Sequence, residues 1–360
     1  MTSVLYSPAF HGIASLPNLV LSPLVSGSLL LSITYRPDAV QAALAHVARF
    51  LPPRIGRVPA SFTTAKAVLK VLVVLGAIRY VNRTLNRLAA NSWRLGAGSG
   101  WHWPDELAVV TGGASGLGRD ISKKLAALGA RVAILDIQEP PKEMLLDERI
   151  TFYTCDVTST ESVAAAADAI RRELGHPSIL VNNAGVARST PILKTPEDFL
   201  RRIFSVNCMA LWFTTQQFLP RMIQLDKGHV VTVASIASFV SLATAADYSA
   251  TKAGALAFHE ALASEIKHQY KSPGILTTVV HPNFIDTPLI QDFSDRLQRR
   301  GVRMLTSDHV ASQIVSQIES KRGGQLFMPE TASAISGIRG WPSWLQEMLR
   351  DTIGRSSSDR

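Results

Sequence analysis

The chain has 360 residues, with 37 Lys and Arg against 28 Asp and Glu, and its two cysteines are Cys155 and Cys208. This length is enough to bury a large core, and so few cysteines exclude a disulfide framework and a cysteine metal cluster. The nine histidines form no ligand cluster, so we predict no metal site and expect His229, His259 and His281 to pack or cap.

The positive charge is concentrated near the N-terminus. Residues 1–35 contain no charged side chain, and residues 36–103 contain ten Lys or Arg and one Asp, so ten minus one gives the whole net charge of +9. This basic band carries no nucleic-acid motif and is interleaved with the apolar run 68–78. Basic charge around an apolar run is typical of attachment to a membrane surface, and we predict no nucleic-acid binding.

Neither apolar stretch is a good membrane span. Residues 16–35 are long enough, but Pro17, Pro23 and Gly27 weaken them, and residues 68–78 are too short and contain Lys70. We therefore predict that residues 1–103 attach to the endoplasmic reticulum or lipid-droplet surface, with the catalytic domain in the cytosol. The alternative is an extension packed on the core. A secretory signal is not predicted, because no basic residue precedes the apolar stretch. A mitochondrial presequence would need arginines before residue 36, and the sequence has none there.

A glycine-rich turn follows the first predicted strand. Residues 107–110 are apolar, residues 111–118 read Thr-Gly-Gly-Ala-Ser-Gly-Leu-Gly, and residues 119–128 have helical periodicity. Glycines there allow positive φ and let a pyrophosphate approach the N–H groups at the helix start. The next strand, 131–135, ends in Asp136, 24 residues after Gly112. A carboxylate there accepts ribose hydroxyls and repels a 2′-phosphate, which predicts NAD over NADP, although Arg119 could pair with such a phosphate.

The alternation of strands and helices continues along the chain. Further predicted strands at 150–155, 178–181, 229–234 and 274–280 end beside polar residues, and a predicted helix at 199–222 carries Asn207. This pattern predicts an α/β fold, a Rossmann-like doubly wound parallel sheet with helices on both faces. Ligands bind at the carboxyl ends of such strands, where Asp156, Asn183 and Ser235 lie.

Tyr248 and Lys252 are four residues apart on a predicted helix. That spacing places a phenol and an ammonium on one helix face. A free tyrosine with a pKa of about 10 is a poor base at neutral pH, and a neighbouring cation lowers that pKa. The pair therefore predicts proton transfer at an alcohol or carbonyl oxygen.

These motifs, in this order, resemble the short-chain dehydrogenase/reductase family over about residues 105–330. Residues 228–235 and 282–287 look most like its membrane-associated 17β-hydroxysteroid and retinol dehydrogenase branch. The family's usual Pro-Gly is Pro282-Asn283 here, and asparagine tolerates positive φ.

The resemblance implies a role for each matching residue. Tyr248 exchanges the proton, Lys252 lowers its pKa and binds the nicotinamide ribose, Ser235 orients the substrate oxygen, and Asn207 supports the proton relay. The implied cofactor-binding residues are Gly112, Ser115, Gly116, Leu117, Gly118, Asp136, Ile137, Asp156, Val157, Asn183, Ala184, Gly185, Tyr248, Lys252, Pro282, Ile285 and Thr287. The family also implies a homodimer through the helices carrying Asn207 and Tyr248.

Three regions follow from these patterns: the attachment region 1–103, an NAD(P)-binding catalytic domain 104–330, and a C-terminal segment 331–360. In the last, residues 335–353 predict an amphipathic helix, and a polar, disordered end follows from Gly354. We expect an NAD(P)-dependent alcohol dehydrogenase or ketone reductase for a lipophilic steroid, retinoid or fatty alcohol. The alternatives are a cofactor-binding sensor without turnover and a structural protein of lipid surfaces.

Overall fold

The structure, a computed structural model, describes residues 20–50, 61–299 and 301–357 and divides between Arg87 and Leu88 into two compact units. The N-terminal unit contains helices α1 (Pro23–Tyr35) and α2 (Pro37–Ala48), and most of α3 (Thr63–Ala90). Residues 1–19 and 51–60, which belong to the predicted attachment region, lie outside the described residues. Within the described ranges, no helix is both long enough and apolar enough to cross a bilayer.

The second unit is built on a parallel sheet. Seven strands pair in the order β3-β2-β1-β4-β5-β6-β9, and β7 and β8 form a separate parallel pair. The strands are β1 (Leu107–Thr111), β2 (Arg131–Asp136), β3 (Ile150–Thr154), β4 (Ile179–Asn182), β5 (Gly228–Val233), β6 (Ile275–Pro282), β7 (Ile285–Asp286), β8 (Leu305–Thr306) and β9 (Gly324–Met328). The chain reverses its direction of winding between β1 and β4, and at such a switch a ligand crevice opens.

Further helices belong to the second unit, and several of them cover the two faces of the sheet. They are α4 (Gly116–Ala127), α5 (Thr160–Glu173), α6 (Glu197–Phe204), α7 (Ala210–Leu225), α8 (Ala246–His268), α9 (Gln291–Arg299), α10 (Ser307–Glu319) and α11 (Ser343–Ser357). Apolar side chains of α4 and α10 pack on one face, and those of α5, α7 and α8 pack on the other. Strand β1 is buried at every position because both faces are covered, and it is apolar from Leu107 to Val110. The predicted α/β doubly wound fold is confirmed.

Two predicted helices differ from the structure. The helix expected over residues 199–222 is interrupted by a π-helical turn, Ser205–Met209, between α6 and α7. The segment expected to be helical over residues 335–353 is instead a 3₁₀ run, Glu330–Gly340, followed by α11. Pro342 explains this break, since proline disfavours helical backbone in the residue before it. Helix α11 also continues past Gly354 to Ser357, so this part of the expected disordered end is helical.

Candidate active site

The glycine-rich turn brings backbone atoms into contact that no larger residue would allow. Gly112 and Gly116 have φ of +63° and +50°. A Cβ on Gly118 would lie 2.1 Å from the Gly112 carbonyl oxygen, so α4 begins directly against the end of β1. Ser115 is the exposed N-cap of α4 and its side chain makes no capping bond, whereas Leu117 is buried in the core. This open helix start beside glycine fits the pyrophosphate of a dinucleotide.

Thr111 and Asn183 fix the shape of that turn. The Asn183 side-chain amide donates to the carbonyls of Thr111 at 2.9 Å and Gly112 at 3.1 Å. In return, the Thr111 hydroxyl accepts from the backbone N–H groups of Asn183 and Ala184, both at 3.0 Å. No role for Thr111 was expected from the sequence. The hydroxyl residue immediately before the glycines was the available signal.

Two carboxylates follow neighbouring strands beside the turn. Asp136, at the end of β2, accepts from Ala114 N at 3.0 Å and from Gln138 N at 3.1 Å. Asp156, after β3, accepts from the backbone and hydroxyl of Thr158. Ile137 is exposed beside Asp136, and Val157 is buried beside Asp156. These positions suit the adenosine end of a cofactor.

Ser235 and Tyr248 meet at the carboxyl end of β5. Tyr248 lies in the first turn of α8, and its side chain is partly exposed. Desolvation raises the pKa of its phenol above the ordinary value, and a hydrogen bond with the Ser235 side chain lowers it in part. The Ser235 hydroxyl also donates to the Pro282 carbonyl at 3.4 Å and accepts from Ala237 N at 3.1 Å.

Lys252 lies one turn after Tyr248 on α8 and is buried. Its Nζ donates to the Val233 carbonyl at 2.8 Å and lies 5.7 Å from the centroid of the Tyr248 ring. Burial lowers the pKa of this ammonium to about 8. From the sequence, Lys252 was expected to lower the pKa of Tyr248, whereas in the structure desolvation raises that pKa and the Ser235 side chain, not Lys252, offsets the rise in part.

Asn207 occupies the π-helical turn and bonds both the loop after β4 and helix α8. Its Oδ1 accepts from Val186 N at 2.8 Å, and its Nδ2 donates to Val186 O at 2.9 Å and to the Thr251 hydroxyl at 3.2 Å. A Cβ on Gly185 would lie 3.5 Å from Asn207 Oδ1 and 3.8 Å from Lys252 Nζ. Asn207 and Lys252 therefore border the same glycine without bonding each other directly.

The segment after β6 completes the crevice. A Cβ on Gly116 would lie 3.3 Å from the Thr287 side chain, so this segment lies against the glycine turn. Pro282 is buried and Ile285 is half-buried. Asparagine at position 283 was expected to tolerate a positive φ, but Asn283 does not adopt the left-handed conformation. Its N–H donates to the Met328 carbonyl at 2.8 Å. Asparagine thus replaces the family's glycine here without strain.

Curated proteins with similar sequences are dehydrogenases. The chain is 35% identical over 213 residues to dehydrogenase RED2 of Cochliobolus heterostrophus, covering 59% of this chain and 80% of that protein. It is 37% identical over 220 residues to short-chain dehydrogenase/reductase family 16C member 6 of Bos taurus, covering 59% and 69%. With retinol dehydrogenase 10-B of Danio rerio it shares 36% identity over 212 residues, covering 52% and 63%.

Similarity to a solved structure supports the fold. The ligand-free aldohexose dehydrogenase of Thermoplasma acidophilum matches with a TM-score of 0.54 and 24% identity, over 62% of this chain and 92% of that one. The family model for short chain dehydrogenases matches residues 106–298, which contain the glycine turn, Asn207, Ser235, Tyr248 and Lys252. Such enzymes are oxidoreductases that use a nicotinamide cofactor, and the crevice fits one. The chain belongs to the short-chain dehydrogenase/reductase family, in its retinol and steroid dehydrogenase branch.

Proposed function

We propose that the protein interconverts an alcohol and its carbonyl compound, with Tyr248 as the general acid and base. The observation that carries this proposal is the partly exposed Tyr248 phenol, whose pKa the Ser235 side chain lowers in part, with Lys252 buried one helical turn away. These groups lie at the carboxyl ends of the strands, where α/β sheets bind ligands. A sensor without turnover would not need this proton-transfer group.

The residues have separate tasks in this chemistry. The nicotinamide supplies or accepts the hydride when it is bound. Tyr248 Oη exchanges a proton with the substrate oxygen, and Ser235 Oγ orients that oxygen by a hydrogen bond. Because desolvation holds the pKa of Tyr248 above its ordinary value, the phenol is protonated at neutral pH and serves as a proton donor to a carbonyl. Oxidation of an alcohol needs the deprotonated phenol.

The proposed substrate is a lipophilic alcohol or ketone of the steroid, retinoid or fatty-alcohol class. Support comes from the similar proteins named as retinol dehydrogenases and from the membrane attachment argued below. A test is turnover of NAD and NADP with retinol, a 17β-hydroxysteroid and a long-chain alcohol.

Tyr248→Phe is the decisive variant in that test, because it removes only the hydroxyl. We expect turnover to fall by roughly 10² to 10⁴ while cofactor binding is kept. Tyr270→Phe, at an exposed tyrosine, is the matched control and leaves turnover unchanged. Near-normal turnover by Tyr248→Phe would refute the mechanism.

We propose NAD as the preferred cofactor. The Asp136 carboxylate is held at the strand end by Ala114 N, and Arg119 is already paired with Asp120 at 3.2 Å. Asp136→Ala should weaken NAD binding and relax the exclusion of NADP, because both a ribose acceptor and a repulsive charge are lost. Titration of both cofactors measures this, with Glu139→Ala as an exposed acidic control. A wild-type protein that prefers NADP would contradict the assignment.

We also propose that helix α3 lies on a membrane surface. Its exposed apolar side chains recur at helical spacing and are Val68, Val71, Val74, Leu75, Ile78, Val81 and Leu85. The same helix carries Lys66, Lys70, Arg79, Arg83 and Arg87 and no acidic residue. An apolar stripe with basic residues beside it is typical of helices at the surface of anionic lipid. This supports the prediction of an anchor at the cytosolic face of the endoplasmic reticulum or a lipid droplet.

Flotation of the full chain with vesicles tests the attachment. We expect stronger binding to vesicles containing phosphatidylserine than to pure phosphatidylcholine, and a loss of binding when Leu75 and Ile78 are both changed to Gln. Leu146→Gln, which alters a still more exposed leucine of the second unit, is the control. Equal flotation of all variants would exclude α3 as the attachment helix.

A homodimer is the proposed assembly. The π-helical turn and α7 expose Met209 and Trp212, and the end of α6 exposes Phe204. These side chains belong to the region around Asn207 through which the family resemblance implies dimers. Light scattering of the purified protein tests this, and Trp212→Glu should convert a dimer to a monomer. A wild-type protein that is monomeric at every concentration would refute the assembly.

A further inference from the structure

His281 lies at the end of β6, where this strand reaches the candidate active site. Its buried ring places Nδ1 3.2 Å from the Ser235 carbonyl oxygen and Nε2 3.1 Å from the side-chain nitrogen of Gln325. A carbonyl oxygen can only accept, so Nδ1 carries the proton and Nε2 accepts from the Gln325 amide. Burial lowers the pKa of His281 to about 4, and the ring is therefore neutral at pH 7.

Two aromatic side chains pack against this ring and against each other. The Phe327 ring is stacked on it at 4.9 Å, and the Phe239 ring is tilted against it at 4.8 Å. The Arg339 guanidinium donates to the carbonyls of Ser238 at 3.3 Å and Phe239 at 3.5 Å. The imidazole therefore has one tautomer and one orientation.

Ser235 receives contacts from the end of β6 through both its backbone and its side chain. Its carbonyl accepts from Ser238 N at 3.0 Å and uses its second lone pair for His281 Nδ1. Its hydroxyl donates to the carbonyl of Pro282, the residue after His281. Fixing the Ser235 peptide fixes the direction of the Cα–Cβ bond that carries its hydroxyl, and that hydroxyl lowers the pKa of Tyr248 in part.

We propose that His281 is a positioning residue for the reaction. Its Nδ1–H holds the Ser235 peptide so that the Ser235 hydroxyl is directed at Tyr248 and at the substrate oxygen. This inference rests on the proposed function, because it matters only if Ser235 acts on the substrate.

Two amide substitutions separate this role from simple packing. His281→Asn places an amide nitrogen near the position of Nδ1 and keeps a donor for the Ser235 carbonyl. His281→Gln places its amide near the position of Nε2, towards Gln325, and loses that donor. We expect kcat with the best alcohol of the panel to stay close to wild type for Asn and to fall about 10-fold for Gln, with the dissociation constant for NAD unchanged in both. The control is the same pair of substitutions at His229, a buried histidine six residues before Ser235. We expect His229→Asn and His229→Gln to have small and equal effects on kcat.

A double-mutant cycle shows whether the effect passes through Ser235. In a Ser235→Ala background no hydroxyl remains to be oriented, so His281→Gln should cause no further loss of kcat. Equal kcat for the Asn and Gln variants, or an undiminished loss in the Ser235→Ala background, would overturn the proposal. If Ser235→Ala itself keeps wild-type kcat, the proposed mechanism fails instead.

A second readout needs no substrate. The ionisation of Tyr248 is obtained from phenolate absorbance as the difference between each protein and its Tyr248→Phe counterpart. Since the Ser235 bond lowers the pKa of Tyr248, His281→Gln should shift this ionisation to higher pH and His281→Asn should not. Identical ionisation in both variants would count against the proposal even if no alcohol were oxidised.

Discussion

Buried neutral histidines should make the stability of this protein fall as the pH falls, and His229 gives the clearest case. Burial lowers the pKa of His229 from its ordinary value of 6.5 to about 3. The unfolded chain therefore takes up a proton below about pH 6.5 that the folded protein refuses until about pH 3, so stability is lost as the pH falls through this window. Each pH unit inside the window costs about 1.4 kcal/mol, which gives about 2.5 kcal/mol between pH 7 and pH 4.5 for this one residue.

His229→Gln isolates that contribution. The His229 Nε2 bonds the Thr278 hydroxyl at 2.8 Å, which a glutamine amide can also reach, and its Nδ1 has no partner to lose. Urea unfolding followed by tryptophan fluorescence at pH 7.0, 5.5 and 4.5 should show the variant losing about 2.5 kcal/mol less than wild type over this range. His268→Gln, at an exposed histidine, should leave the slope unchanged. Parallel curves for wild type and His229→Gln would refute the argument.

Two further predictions concern the site. Gly118→Ala should abolish the NAD binding that calorimetry measures, because the added Cβ would meet the Gly112 carbonyl. The control is Gly175→Ser, at a glycine with positive φ and open surroundings, which should lower stability and keep NAD binding. Ser235→Ala should shift the rising limb of the pH–rate profile for alcohol oxidation to higher pH, because the hydroxyl that lowers the pKa of Tyr248 is lost and the base form then requires more alkaline solution. An unshifted profile with a reduced plateau would mean that Ser235 acts on the substrate alone.

The sequence was sufficient to predict a doubly wound parallel sheet and the positions of β1 to β6. Buried parallel strands are largely apolar, and polar residues such as Asp136 and Ser235 lie at or just after the carboxyl ends of β2 and β5. Parallel strands place those ends at one edge, and residues far apart in sequence therefore meet there. The positive φ of Gly112 and Gly116 was likewise expected from a glycine-rich turn between strand and helix.

What the sequence could not predict depends on contacts between distant segments. The π-helical turn around Asn207 has no simple sequence signal. The Asn207 side-chain amide is held by Val186, in the loop after β4. The pKa of Tyr248 depends on how much water reaches the phenol, which the spacing to Lys252 does not reveal. His281 was expected to pack, and it does, but its bond to the Ser235 carbonyl follows from the register of neighbouring strands.

The contact at Gly118 limits how this protein can change over evolution. At Gly324, an added Cβ would meet the end of the flexible Gln317 side chain at 2.7 Å, so a smaller residue at 317 could make room for alanine. At Gly118 the obstacle is the carbonyl oxygen of residue 112, which every amino acid carries. No second substitution at the contacted residue can compensate, so Gly118 is open only to changes that move the whole turn.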